Sequence, residues 1–159
     1  QFYSPAEIIV IDLDDNRLGL ARQFGATQTI NSADGKAAEK VKALTAGRGV
    51  DTAIEAVGVP ATFLLCQELV GPGGVIANIG VHGYKVDLHL EQLWSRNIAI
   101  TTRLVDTVTT PMLLKTSQSK KSEPEKLITH HFRLDQILEA YDTFAHAATT
   151  QALKVIIAA

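Results

Sequence analysis

Short apolar runs alternate with stretches of helical periodicity along the whole chain. Residues 7–12 read Glu-Ile-Ile-Val-Ile-Asp, a continuous apolar run closed by an acid, the pattern of a strand buried on both faces. Asp14 or Asp15 can cap a following helix, which Leu18, Ala21 and Phe24 give an apolar stripe and Gly25 ends. Residues 27–30 predict a second strand and 31–35 a turn. Residues 36–46 predict a helix with Val41 and Leu44 inward, broken by Gly47-Arg48-Gly49. A third strand is expected over 50–57, and Pro60 suits the first turn of a helix reaching about residue 70. Gly71-Pro72-Gly73-Gly74 reads as a turn, 75–80 as a fourth strand and 98–104 as a fifth, after a short helix near 90–94. Thr109-Thr110-Pro111 opens another helix, and the polar stretch 117–124 is the expected mobile loop. Residues 128–132 are a short extended piece. Residues 135–147 form an amphipathic helix with Ile137, Leu138, Tyr141 and Phe144 on one side, and 152–157 are a last strand.

Strands separated by helices of this length need crossover connections, so the expected class is α/β with a mostly parallel sheet, in one domain. The chain has 159 residues, 46% of them hydrophobic, enough to bury a core. Its 15 basic and 17 acidic residues give a formal net charge of -2, which argues against nucleic acid as a partner. No apolar run is long enough to span a membrane. Cys66 is the single cysteine, so neither an internal disulfide nor a multi-cysteine zinc site can form. A reducing compartment, most simply the cytoplasm, fits that usage.

Ligands of open α/β sheets bind beyond the carboxyl ends of the strands. Asp12 ends the first strand, where a carboxylate can accept from both hydroxyls of an adenosine ribose and repel a 2′-phosphate, favouring NAD over NADP. The alternative is that Asp12 caps the helix. Arg17 could reach the same ribose or the adenine, or be a solvated helix charge. Gly80 and Gly83 flank Val81-His82, where glycine would let backbone approach a ligand, or where the segment is only a turn. The glycine-rich phosphate turn of dinucleotide sites does not occur. His82, His89, His130, His131 and His146 lack metal-site spacing and read as surface or strand-end histidines. Cys66 reads as a small core residue. No residue is nominated as a catalytic acid, base or nucleophile.

The ordered set of segments 8–18, 21–27, 47–58, 73–81, 127–132 and 152–157 resembles the cofactor domain of the zinc-dependent alcohol dehydrogenases, in the medium-chain dehydrogenase/reductase family. The resemblance covers essentially the whole chain and implies a Rossmann-like doubly wound parallel sheet lacking its first strand and glycine-rich turn. It implies that Asp12 binds the ribose diol and that Arg17 assists at the ribose or adenine. Val57 and Gly58 would wall the adenine side; Ile79, Gly80 and Val81 would lie along the nicotinamide. Thr101 and Arg103 would offer backbone groups to its carboxamide, and Lys154 would approach the pyrophosphate. Around Thr102-Arg103-Leu104 the chain departs from the family's glycine-rich wording.

The resemblance further implies a C-terminal fragment of an NAD-dependent alcohol dehydrogenase, inactive alone. Its zinc would lie in a catalytic domain absent from this chain, and its substrate would be a small alcohol or carbonyl compound. Alternatives are a non-catalytic dinucleotide-binding module and a zinc-free quinone reductase of the same family. In the full strand order 3-2-1-4-5-6 the missing strand lies between residues 7–12 and 51–57. That gap is expected to be closed, or filled by another copy or a further segment, because open inner edges are unfavourable. A homo-oligomer is expected through the strand at 98–104, which opens on Ile98 and closes on Leu104 and carries little edge protection.

Overall fold

The computed structural model describes residues 4–104 and 107–159. The chain divides into two compact units, Gln1–Val105 and Asp106–Ala159.

In the first unit β1 (Ile9–Asp12) pairs in parallel with β2 (Gln28–Asn31), joined by α1 (Asp15–Gln23). Helix α2 (Ala37–Leu44) leads to a second, three-stranded parallel sheet. Its order is β3 (Val50–Glu55), β4 (Val70–Asn78), β5 (Ala99–Thr102), with α3 (Pro60–Leu69) and α4 (Leu90–Leu93) in the crossovers. Every described pairing is parallel, as crossover helices require. Two apolar clusters hold the unit. Ala53, Phe63, Cys66, Val70, Ile76 and Leu93 pack α3 and α4 on the three-stranded sheet. Ile30, Ala37, Val41 and Leu69 pack α2 against β2 and the end of α3.

Several expectations change. Strand β4 starts at Val70, because Val70 pairs with Val50 before Gly71-Pro72-Gly73-Gly74 bulges out and pairing resumes at Thr52 and Val75. The glycine run is thus a bulge within the strand span, not a turn before it. Strand β3 stops at Glu55. On α2, Val41 is buried but Leu44 is 48% exposed. The expected closure of the gap does not occur, since β1 and β3 do not pair with each other.

In the second unit α5 (Thr110–Gln118) precedes β6 (Ile128–Arg133), α6 (Ile137–Ala145), α7 (Ala147–Thr150) and β7 (Lys154–Ala158). Strands β6 and β7 pair in parallel. The buried residue of α6 is Ala140, whereas Leu138, at 83%, and Tyr141 and Phe144 stand exposed. The predicted stripe is present but uncovered.

Candidate functional site

Asp12 closes β1 opposite Asn31, which puts its carboxylate at the strand's carboxyl end. Its Oδ1 accepts from the Asp14 N–H at 2.9 Å, and Oδ2 lies 3.9 Å from Arg17 Nη1. The helix cap is Asp14, whose Oδ1 accepts from the N–H groups of Asn16 (2.8 Å) and Arg17 (3.1 Å). Asp12 is therefore not the cap. Its half-buried carboxylate retains acceptor capacity beside a cation.

At the ends of β4 and β5, Asn78, Ile79, Gly80 and Val81 share a recess of about 250 Å³ with Thr102, Arg103 and Leu104. Four of the predicted positions, Ile79, Gly80, Val81 and Arg103, meet there. Thr101 lies just behind, paired with Ala77 in β5. The Arg103 N–H donates to the Asn78 carbonyl and is engaged inside the sheet. The apolar side chains at these strand ends are open to solvent: Val57, Ile79, Leu104 and Val81, the last at 79%.

Gly58 brings the neighbouring turn against this recess. At its φ of +91° a β-carbon would meet the Val81 backbone, with the carbonyl carbon and nitrogen at 2.7 and 2.8 Å. A β-carbon on Gly80 would strike Glu55 Oε2 and the Gly58 backbone. Glycine at both positions permits backbone to lie on backbone between the two turns.

Between the turns lies a residue that the sequence reading passed over. Glu55 is 1% exposed at the end of β3. Its backbone carbonyl accepts from the N–H groups of Ile79 (2.8 Å) and Gly80 (3.1 Å). Its Oε1 accepts from Val57 N–H (3.0 Å), Gly58 N–H (2.9 Å) and the Thr62 hydroxyl (2.6 Å). Its Oε2 makes no hydrogen bond and lies 3.2 Å from His82 Nε2. Burial pushes this carboxyl's pKa up, but the Thr62, Gly58 and Val57 donors and the adjacent His82 outweigh it, so it sits below the ordinary 4.5. His82 is not the surface histidine expected: its side chain is 15% exposed, turned in against Phe63 and Asn78. Nε2 lies 2.8 Å from Asn78 Oδ1, which selects the Nε2–H form as donor, and Nδ1 is buried without a partner. The signal in the sequence was an acid inside an apolar strand, three residues before Gly58.

Cys66 lies buried in the same core. Burial, followed by the Glu55 charge, pushes its thiol up to about 11, so it is an inert core residue as read. Lys154 begins β7 in the second unit, lining a recess of about 280 Å³ with Tyr141 and Phe144. Among the described residues no group of three His, Cys, Asp or Glu side chains could hold a metal ion. No described helix is long and apolar enough to cross a membrane.

Parallel strands joined by crossover helices, with an acid and two glycine-bearing turns at their carboxyl ends, define a domain of the dinucleotide-binding α/β class. A family model described as zinc-binding dehydrogenase matches residues 4–117, and the chain belongs to that family. It is 34% identical over 146 residues to an alcohol dehydrogenase of Cupriavidus necator, covering 87% of this chain and 39% of that protein. A solved structure of zinc dependent alcohol dehydrogenase 2 from Streptococcus pneumonia, in its apo form, is 57% identical. It superposes with a TM-score of 0.95 over 99% of this chain and 46% of that one. An E. coli CFT073 alcohol dehydrogenase complexed with NADH shares the fold at 22% identity and a TM-score of 0.89, over 99% of this chain and 46% of its own. The chain thus spans less than half the length of these relatives.

Proposed function

We propose that this chain is the cofactor-binding part of a longer, cytoplasmic NAD-dependent alcohol dehydrogenase, which moves a hydride between a small alcohol or carbonyl substrate and nicotinamide. The observation that carries the reading is Asp12, held at a strand's carboxyl end with the capping task taken by Asp14. The residues fit the two ends of a dinucleotide. Asp12 and Arg17 suit the adenosine ribose, Val57 and Gly58 the adenine side, and the recess at Ile79, Gly80, Val81 and Arg103, with Thr101 behind it, the nicotinamide. Exposed apolar side chains there would cover the ring faces and exclude water. NAD would supply the hydride acceptor; this chain's part is to bind and orient it. Lys154 is assigned to the pyrophosphate. Zinc would belong to the part of the parent beyond this chain, in keeping with the 57% identical zinc dependent relative.

Replacing Asp12 by serine should weaken NADH binding to the parent roughly tenfold to a hundredfold, the effect of losing charged hydrogen bonds to the ribose, and relax discrimination against NADPH. Competitive titration of both cofactors checks this. A parent that already accepts both equally would refute the role of Asp12. The isolated chain, whose sequence contains no glycine-rich phosphate turn, should bind NADH more weakly than micromolar.

The parent is also proposed to self-associate through the 98–104 edge. Strand β5 pairs only with β4 among the described residues. The Arg103 N–H faces β4, so by parallel alternation Ala99 and Thr101 do too, and Ile100 and Thr102 point their N–H groups outward. Thr102→Pro should therefore abolish a dimer in sedimentation while the monomer stays folded. A dimer that persists would place the interface elsewhere.

A further inference from the structure

We propose that Glu55 is a positioning residue: it fixes the Val57–Gly58 turn against the Ile79–Val81 bend, with His82 as the contact of its second carboxylate oxygen. The consequence for cofactor rests on the reading above. The placement itself rests on geometry. One residue gathers five hydrogen bonds from both turns: its carbonyl takes two amides from the 79–80 side, and Oε1 takes two amides and a hydroxyl from the 57–62 side. The amides of Val57, Gly58, Ile79 and Gly80 are therefore engaged inward, and the recess presents side chains and carbonyls to a ligand. Oε2 faces His82 Nε2, which Asn78 holds from β4. Strand alternation places Glu55 on the face of Ala53, while apolar Ile54 points out at 63% exposure. A carboxylate buried where an apolar residue would pack more simply needs a reason, and here it is the Val57 and Gly58 amides and the Thr62 hydroxyl, which would otherwise be left open, while the Ile79 and Gly80 amides need only the backbone carbonyl. The titratable groups facing it are His82, beyond β4, and Cys66, on α3.

The test follows the backbone amide resonances of the chain by NMR. Between pH 7 and 3 the Val57, Gly58, Ile79 and Gly80 amides should move together with one midpoint below 4.5, and Glu55→Gln, which keeps the shape, should abolish that movement. At pH 7, His82→Gln should shift the Val57 and Gly58 amides, more than 20 residues away in sequence. Amides that titrate apart, or still titrate in Glu55→Gln, overturn the proposal, as does a His82→Gln spectrum unchanged at 57 and 58. NADH titrated far above micromolar, as the weak binding expected of the isolated chain requires, then separates the two readings. If it moves Ile79–Val81 in the wild type, Glu55→Gln should raise its dissociation constant on the order of tenfold, the low end of what losing an orienting neighbour costs at metal sites. If NADH moves nothing, the cofactor reading fails, and the pH and His82 arms alone decide the role of Glu55.

Discussion

Glu55→Ala should destabilise the first unit by about 3–5 kcal/mol, the range seen when one partner of a buried charged cluster is removed. The reasoning starts from donors. Val57 N–H, Gly58 N–H and the Thr62 hydroxyl all use Oε1, and each donor left buried and unmet costs roughly 1–3 kcal/mol. Water entering the cavity recovers part of that, which keeps the total below the simple sum. Glu55→Gln retains an acceptor of the same shape, so its loss should be smaller by at least half. Denaturant unfolding of the three chains measures both differences. An alanine variant within about 1 kcal/mol of the wild type would mean that the three hydrogen bonds to Oε1 do not form.

The same carboxylate makes stability depend on pH, and the sign follows from the direction of its shift. The folded-state pKa lies below the ordinary 4.5 because the donors outweigh burial. The folded chain therefore binds this proton less readily than the unfolded chain. The stabilisation is complete above 4.5 and is lost as pH falls through the lower, folded value. As pH falls below 4.5 the wild type should lose stability more steeply than Glu55→Gln, which has no proton to take up at that position.

How much of this was legible in the sequence varies with the range of the interactions involved. The continuous apolar run closed by Asp12 marks the strand Ile9–Asp12, but the burial on both faces that such a run predicts is only partial: all four residues are half-buried, and the strand pairs with β2 alone. The bulge in β4 was not legible. Gly-Pro-Gly-Gly has the local chemistry of a turn, and only the pairing of Val70 with Val50 shows that a strand has already begun. The exposed stripe of Leu138, Tyr141 and Phe144 shows a different limit: amphipathic spacing tells which face favours burial, not what is there to cover it. Glu55 and His82 lie 27 positions apart, and neither belongs to a local motif. An acid in an apolar strand was a visible anomaly, but its partner is specified by the crossover through α3 that returns the chain beside β3. The sequence likewise suggested that Gly80 lets backbone approach a ligand, whereas the structure shows Gly80 and Gly58 first making room for each other.

That last point carries the other large expected effect. Gly58→Ala should cost about 3–5 kcal/mol, placing it among the strongly destabilising substitutions. Two penalties act together. A side chain at φ of +91° is strained by roughly 1–3 kcal/mol. Its β-carbon would also press into the Val81 backbone, which cannot turn aside as a flexible side chain can. The bend at Ile79–Val81 would have to retreat from Glu55, stretching the two bonds that its carbonyl accepts. Gly83→Ala is the control in the next bend: nothing lies within 4 Å of its β-carbon, and its backbone is not left-handed, so it should stay within about 0.5 kcal/mol of the wild type. Gly19→Ala, in open space within α1, should gain roughly 0.5–1 kcal/mol from helix propensity alone. Thermal and denaturant unfolding of the three variants therefore separates a general intolerance of alanine from the specific contact at position 58. If Gly58→Ala melts with Gly83→Ala, the two turns do not touch, and the role assigned to Glu55 between them falls as well.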